Sequence, residues 1–413
     1  MTDSFRPVFP LVTMVLLVTS TAVLAQWNGE IVAWGRNGEG QCTVPSPNSG
    51  FIAVAAGKMH SLGLKADGSI VCWGNNQYGQ CVVPSPNEGF LAIGAGSNHS
   101  LGVREDGSVE VWGRNDYGQC EVPSPNSGFE AVCGGWGHSL GLKVDGSIVA
   151  WGAGGPGQTG YGHYGQSIVP EPNSDFVAVS AGEIHSLGLK ADGSIMAWGD
   201  NSDGQCETPS PNSDFSMVAA GKAHSLGLKQ DGSILAWGYN AWGQCNVPEP
   251  NSGFIAVAGA YHSLGLKEDG SILAWGLNDY GQCIVPEPND GFNAVAAGAY
   301  HSLGLRGWTS IEGEASAAVQ PDALLITSVF PNPAASICFV SYQSPSLSSV
   351  TLEVYDTAGR LVRTQSLGNS PAGQHTIAWD GRDSRGAELG SGVYFIRLRG
   401  AEQQASAKVV LVR

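Results

Sequence analysis

Charge is scarce in this chain. Of 413 residues only 14% are charged, with 20 Lys and Arg against 36 Asp and Glu, for a formal net charge of −16. A disordered polyelectrolyte would hold far more charge and far fewer aromatics than a chain with 12 Trp and 12 Phe. The shortage of cations argues against a nucleic-acid partner held through its phosphates. No Cys-x-x-Cys pair occurs, which speaks against a zinc site. Gly-x-Ser-x-Gly, His-Glu-x-x-His and phosphate-loop patterns are all absent, so the chain reads as non-enzymatic, with no catalytic residue, cofactor or metal expected. Asp200-Asn-Ser-Asp203-Gly matches only the start of a calcium loop, and its later ligands are missing. Beyond the first 25 residues no stretch is apolar enough to span a bilayer.

What is present in excess is glycine, at 59 positions. The glycines have no three-residue period, which excludes collagen. The length suggests two or three domains. Residues 1–25 read as a signal peptide: Arg6 lies in the positive end, Leu11 to Val18 is apolar apart from Thr13, and Val23-Leu24-Ala25 offers small residues for cleavage. The expected location is secreted or at the cell surface.

A period near 39 residues organises most of the remainder. Trp-Gly pairs start at Trp34, Trp73, Trp112, Trp151, Trp198, Trp237 and Trp275. His-Ser-Leu-Gly recurs at His60, His99, His138, His185, His224, His262 and His301. Repeats of this length with a Trp and several Gly each signal a propeller or array. Within one unit, Phe51 to Gly57 is a short, Ala-rich strand and His60 to Leu64 alternates. Asp67-Gly68 is a hairpin turn, Ile70 to Trp73 returns, and Gln80 to Pro84 supplies a weak outer strand. The expected fold is all-β: a seven-bladed β-propeller of four-stranded blades over 26–306, a linker at 307–325, and a small Ig-like β-sandwich over 326–413. The first Trp-Gly strand lacks a partner before it and the last His-Ser-Leu-Gly strand lacks one after it, so residues 30–34 are expected to pair with 301–305.

The words Ile31-Val-Ala-Trp-Gly-Arg-Asn-Gly-Glu-Gly-Gln41, Val54-Ala-Ala-Gly57 and His60-Ser-Leu-Gly-Leu64 resemble the repeat family of the regulator of chromosome condensation. The likeness is greatest to the secreted bacterial branch that includes a β-lactamase inhibitor. It implies a seven-bladed propeller. It leaves activity open, because members bind GTPases, chromatin, lipids or enzymes. Chromatin fits badly, since residues 26–305 hold 10 basic and 26 acidic side chains.

Residues that recur build the blades, and those that vary are the candidates for function. The seven His are expected to cap strands and hydrogen-bond inside their own blades, and the seven Trp to pack between blades. Cys42, Cys81, Cys120, Cys206, Cys245 and Cys283 share one repeat position, too far apart for bridges at the roughly 7 Å Cα limit, and Cys72 and Cys133 read as small core residues. Strand direction puts the Gly-x-x-His turns and the Trp-Gly-x-Asn loops on one face. The turns carry Lys58, Trp136, Glu183, Lys222, Tyr261 and Tyr300. The loops carry Tyr78, Asp116, Tyr117, Asp203, Trp242, Asp279 and Tyr280. The fourth unit inserts eight residues and adds Tyr161, His163 and Tyr164. Such aromatic-rich surfaces are typical of protein-binding hot spots.

In the tail, Phe330-Pro-Asn-Pro333, Val354-Tyr-Asp-Thr-Ala-Gly-Arg360, Trp379-Asp-Gly-Arg-Asp383 and Gly390-Ser-Gly-Val-Tyr-Phe395 resemble the Ig-like domain of flagellar hook-capping proteins and the C-terminal sorting domain of type IX secretion cargo. The resemblance implies sorting to the cell surface or medium, with the secretion or anchoring machinery as a partner. The leading expectation is an exported, non-catalytic module whose propeller face recognises an unknown protein partner. A structural or adhesion scaffold, or a glycan binder, is the alternative. A β-lactamase-type inhibitor and a guanine-nucleotide exchange factor follow only from the family likeness.

Overall fold

A computed structural model of the chain describes residues 29–307 apart from 161, and residues 324–411 apart from short stretches between strands. The signal peptide expected at 1–25 and most of the linker expected at 307–325 lie outside the described residues. Contacts divide the chain into two compact units, Met1–Ser310 and Ile311–Arg413. Every regular element among the described residues is a β-strand, and no helix is long and apolar enough to cross a membrane.

In the first unit, Phe51–Ala56, His60–Lys65 and Ile70–Gly74 form an antiparallel three-stranded sheet: inner, middle and third strand. The middle strand is buried from His60 to Leu64, because neighbouring sheets pack on both of its faces. That burial explains Gly63. The Phe51 ring lies across it, and a Cβ there would come within 2.5 Å of a ring carbon. The same Phe crosses the same Gly in every repeat, from Gly102 against Phe90 to Gly304 against Phe292.

Seven such sheets are present among the described residues, arranged like propeller blades. Six use consecutive strands. The seventh joins Phe292–Ala297 and His301–Arg306 to Glu30–Gly35, with Ile31 opposite Leu305 and Trp34 opposite Ser302. Each Trp packs between sheets: Trp73 shares a core with Ile31, Phe51, Leu303 and Leu305. Trimming such a Trp to Ala costs about 3–5 kcal/mol.

The sheets have three strands, not the four expected. Gln80 and Cys81 lie in a turn and residues 82–84 are irregular, and Pro84 has no N–H to give a ladder. An asparagine side chain takes the place of the fourth strand. Asn87 Oδ1 accepts from the Ile70 N–H at 2.8 Å and Asn87 Nδ2 donates to the Ile70 carbonyl at 2.9 Å. Asn48, Asn126, Asn173, Asn212, Asn251 and Asn289 repeat the pair.

The histidines bond between sheets rather than within them. His60 Nε2 is 3.0 Å from Ser100 Oγ, and the same link runs His99–Ser139, His138–Ser186, His185–Ser225, His224–Ser263, His262–Ser302 and His301–Ser61. Each Ser hydroxyl donates onward to a backbone carbonyl, as Ser100 does to Gln80. The hydroxyl must therefore accept from the imidazole, which assigns the proton to Nε2 and leaves Nδ1 unprotonated. Burial depresses every one of these histidines, to about 4 at His60 and His185 and about 3 at the other five. They are neutral scaffold groups.

One cysteine expectation is corrected. Cys72 and Cys81 form a disulfide, with Cα atoms 5.0 Å apart. The two are not repeat-equivalent: the loop carrying Cys81 folds back onto the strand carrying Cys72. Only the repeat that contains Trp73 has cysteine at both positions.

The second unit has a three-stranded sheet of Leu325–Phe330, Cys338–Ser344 and Gly373–Trp379. A four-stranded sheet follows, in the order Leu361–Ser370, Ser348–Asp356, Gly392–Arg399 and Gln404–Leu411. Val340, Leu352, Trp379, Ile396 and Val409 share one core, as in a sandwich. Leu325–Phe330 is a strand, and only its first residue falls in the linker expected at 307–325.

Candidate functional site

Ala56 pairs with Ser61 and Gly74 with His60, so the turns after the inner strand and the loops after the third strand emerge at the same end of the sheet. One buried residue type holds the loops. Gln41, Gln80, Gln119, Gln166, Gln205, Gln244 and Gln282 are 0–1% exposed. Each side-chain carbonyl accepts the backbone N–H two residues earlier, at 2.8–3.0 Å: Glu39, Tyr78, Tyr117, Tyr164, Asp203, Trp242 and Tyr280. The glutamine's own backbone carbonyl takes a Ser hydroxyl and a Trp indole N–H, as Gln80 does from Ser100 and Trp112. The residue two before the glutamine is thus fixed in backbone while its side chain varies between repeats. The repeats make seven equivalent display positions, and glutamate, aspartate, tyrosine and tryptophan fill them.

The aromatic residues gather into two clusters. In the first, the Tyr117 ring lies 4.8 Å from Trp136 and 5.8 Å from His163. The Arg114 guanidinium sits 5.2 Å over Tyr78 and 5.9 Å over Tyr117, and pairs with Asp116 at 2.5 Å. His163 Nδ1 accepts from the Gly154 N–H at 3.0 Å, and Gly162 lies so close under Trp136 that a Cβ would come within 2.7 Å of the ring. Trp136 and Tyr117 therefore hold the inserted loop in place. Tyr164 projects outward, 39% exposed. Tyr161 lies outside the described residues.

The second cluster is a continuous strip. Ring centroids are 5.0 Å apart for Tyr239–Trp242, 5.5 Å for Trp242–Tyr261, 5.0 Å for Tyr261–Tyr300 and 5.4 Å for Tyr300–Tyr280. Lys222 lies 4.6 Å over Tyr261 and Arg36 lies 5.2 Å over Tyr280. Asp203 and Asp279 are exposed on the same face and join neither cluster. Sequence reasoning missed Arg36, Glu39, Tyr239 and the positioning glutamines. A cue for Arg36 and Tyr239 was available, since the residue after Trp-Gly differs in every repeat but one pair: Arg36, Asn75, Arg114, Ala153, Asp200, Tyr239 and Leu277.

The inner strands of all seven sheets line a cavity of about 280 Å³ whose wall includes Val54, Ile93, Val132, Val179, Val218 and Val257. Lys58, Glu183 and Lys222 line the end of it nearest the turns. Burial pushes the Glu183 carboxyl above its usual range, while Lys222 and Lys58 pull it back down. Asp200 accepts from Ser202 Oγ and Gln205 Nε2, both at 2.6 Å, and so caps its own loop. Among the described residues no group of three or more His, Cys, Asp or Glu could hold a metal ion.

Comparison with known proteins agrees with this geometry. Residues 51–80, 90–119, 176–205, 218–244 and 255–282 match the regulator of chromosome condensation (RCC1) repeat, and residues 335–404 match the FlgD Ig-like domain. The structure of Prp20p from Saccharomyces cerevisiae is similar with a TM-score of 0.57 at 20% identity, over 70% of this chain and 93% of that one. The ectodomain of the Arabidopsis thaliana receptor kinase ACR4 is similar with a TM-score of 0.50 at 24% identity, over 62% and 90%. The basal-body rod modification protein FlgD of Salmonella typhimurium is 39% identical over 59 residues, which are 14% of this chain and 25% of that protein. The chain thus spans about a quarter of the length of the curated relatives it matches. It combines RCC1-type repeats, in propeller-like sheets, with a FlgD Ig-like domain at its C-terminus.

Proposed function

We propose that the seven sheets are the blades of one closed propeller, and that its loop face binds a protein partner without catalysis. Closure is supported by the His–Ser links, which pass through every sheet and return from His301 to Ser61. The observation that carries the binding reading is the strip from Tyr239 to Tyr280. Tyr and Trp supply large contact area with few rotatable bonds, which is why they dominate binding hot spots. Faces of these rings are covered by one another and by Arg36 and Lys222. Sugars stack on open ring faces, so this packing favours a protein over a glycan. Among the similar structures, one is described with its binding properties to Gsp1p and histones and another as bound to Kap60.

Export is supported by the apolar stretch Leu11 to Val18 and the small residues before Gln26. In this reading the C-terminal domain sorts or attaches the protein at the cell surface. The test is affinity capture with the full chain and with a Trp136→Ala, Tyr117→Ala, Trp242→Ala triple variant. Partner proteins held by the wild type should be lost by the variant. A tight partner that survives all three substitutions places binding elsewhere.

A further inference from the structure

We propose that the second aromatic cluster docks a short, protruding segment of a partner protein that carries two or three carboxylates. This deepens the reading of the loop face as a protein-binding surface and rests on it.

The inference comes from the cations that the fold leaves over. In the first unit most basic side chains are committed to the opposite end of the sheets. Lys65 lies 4.8 Å over Phe51 and donates to the Ser49 carbonyl. Arg104, Lys143, Lys190, Lys229, Lys267 and Arg306 repeat this arrangement, each over its own repeat's Phe and bonded to backbone carbonyls. Arg114 is paired with Asp116. Three cations remain: Arg36, Lys58 and Lys222. All three lie on the loop face. Arg36 and Lys58 have no ion pair among the described residues, and the one carboxylate near Lys58 and Lys222 is Glu183, 3.9 Å from Lys222 and also under the charge of Lys58.

Their placement is specific. Lys222 and Arg36 bracket the Tyr261–Tyr300 stack, one against each ring. Lys58 shares the rim of the central cavity with Lys222 and Tyr261. Cations above ring faces keep their outward N–H groups, which suit a carboxylate. The unit as a whole carries 26 acidic side chains against 10 basic over residues 26–305. A broad acidic surface would be repelled by that field, so like-charge repulsion selects a narrow segment that brings its carboxylates only to these three cations.

The test is selection of 12-residue peptides from a random display library on the full chain. The winners are then measured as synthetic peptides against wild type, against Arg36→Glu, Lys58→Glu and Lys222→Glu, and against Trp242→Ala. Circular dichroism and the unfolding midpoint check that each variant is folded. Enriched peptides should carry clustered Asp or Glu. Each charge reversal should weaken them about tenfold or more, and Arg36→Lys should restore part of the loss. Added salt should weaken binding as well. Peptides that need Trp242 but carry no acidic cluster, or that ignore the reversals, would overturn the proposal while leaving the binding face intact. Failure to enrich any peptide that depends on Trp242 or on the cations would count against both readings.

Discussion

Mild acid should unfold the first unit, and the buried histidines set the scale. His60, His99, His138, His185, His224, His262 and His301 are all 0% exposed. The fold holds them neutral down to about 3–4, whereas an unfolded chain protonates them near 6.5. The sign follows directly. Above 6.5 neither state binds these protons and stability is full. Below 6.5 the unfolded state binds them and the folded state does not, so stability falls as pH drops through the window from 6.5 towards 4. Each histidine contributes about 1.4 kcal/mol per pH unit, and seven together about 10 kcal/mol per unit. That is comparable to the whole stability of a typical domain, about 5–15 kcal/mol. The turn aspartates, such as Asp67, are held below 3.8 chiefly by a serine hydroxyl and act only at lower pH. The assay is calorimetric unfolding at pH 5.5 in two buffers of different ionisation enthalpy, which counts protons. Uptake of about six protons from these groups is expected. Uptake of one or none, with the fold intact at pH 5, would show that the ring is hydrated or already protonated.

Two further outcomes test the packing. Gly63→Ala would force a Cβ to within 2.5 Å of the Phe51 ring, and overpacking of this kind costs about 1–3 kcal/mol or more, read as a lower unfolding midpoint in urea. Thiol titration of the denatured, unreduced protein should find seven reactive thiols of the nine cysteines, because Cys72 and Cys81 are bridged. Reducing that bridge should cost about 2–3 kcal/mol on chain-entropy grounds, given its sequence separation of 9.

The sheets were legible because their residues answer to local packing. Trp73, Phe51 and Gly63 recur wherever a sheet meets its neighbour, and period alone exposes them. The partners of the recurring polar residues were less legible. His60 reaches Ser100, 40 positions on, and a reading confined to one repeat cannot see a bond that crosses into the next. Asn87 looks like an ordinary turn residue until its side chain is found pairing with both backbone groups of Ile70. The disulfide was hidden because Cys81 was compared with its equivalents rather than with Cys72. At the candidate site, variation between repeats singled out Tyr117, Trp242, Tyr261 and Tyr280 as candidates. Their sorting into a loop-holding cluster and an outward strip depended on which side chains meet across sheets, and no spacing encodes that.

The most direct measurement is the affinity of a captured protein partner for single alanine variants of the strip. Trp242→Ala and Tyr300→Ala should each weaken it by at least about 2 kcal/mol. Ile284→Ala, an exposed site at 67% outside the ring contacts of the strip, should leave it unchanged. Equal affinity for wild type, Trp242→Ala and Tyr300→Ala, with all three folded, would contradict a binding face built on the aromatic strip.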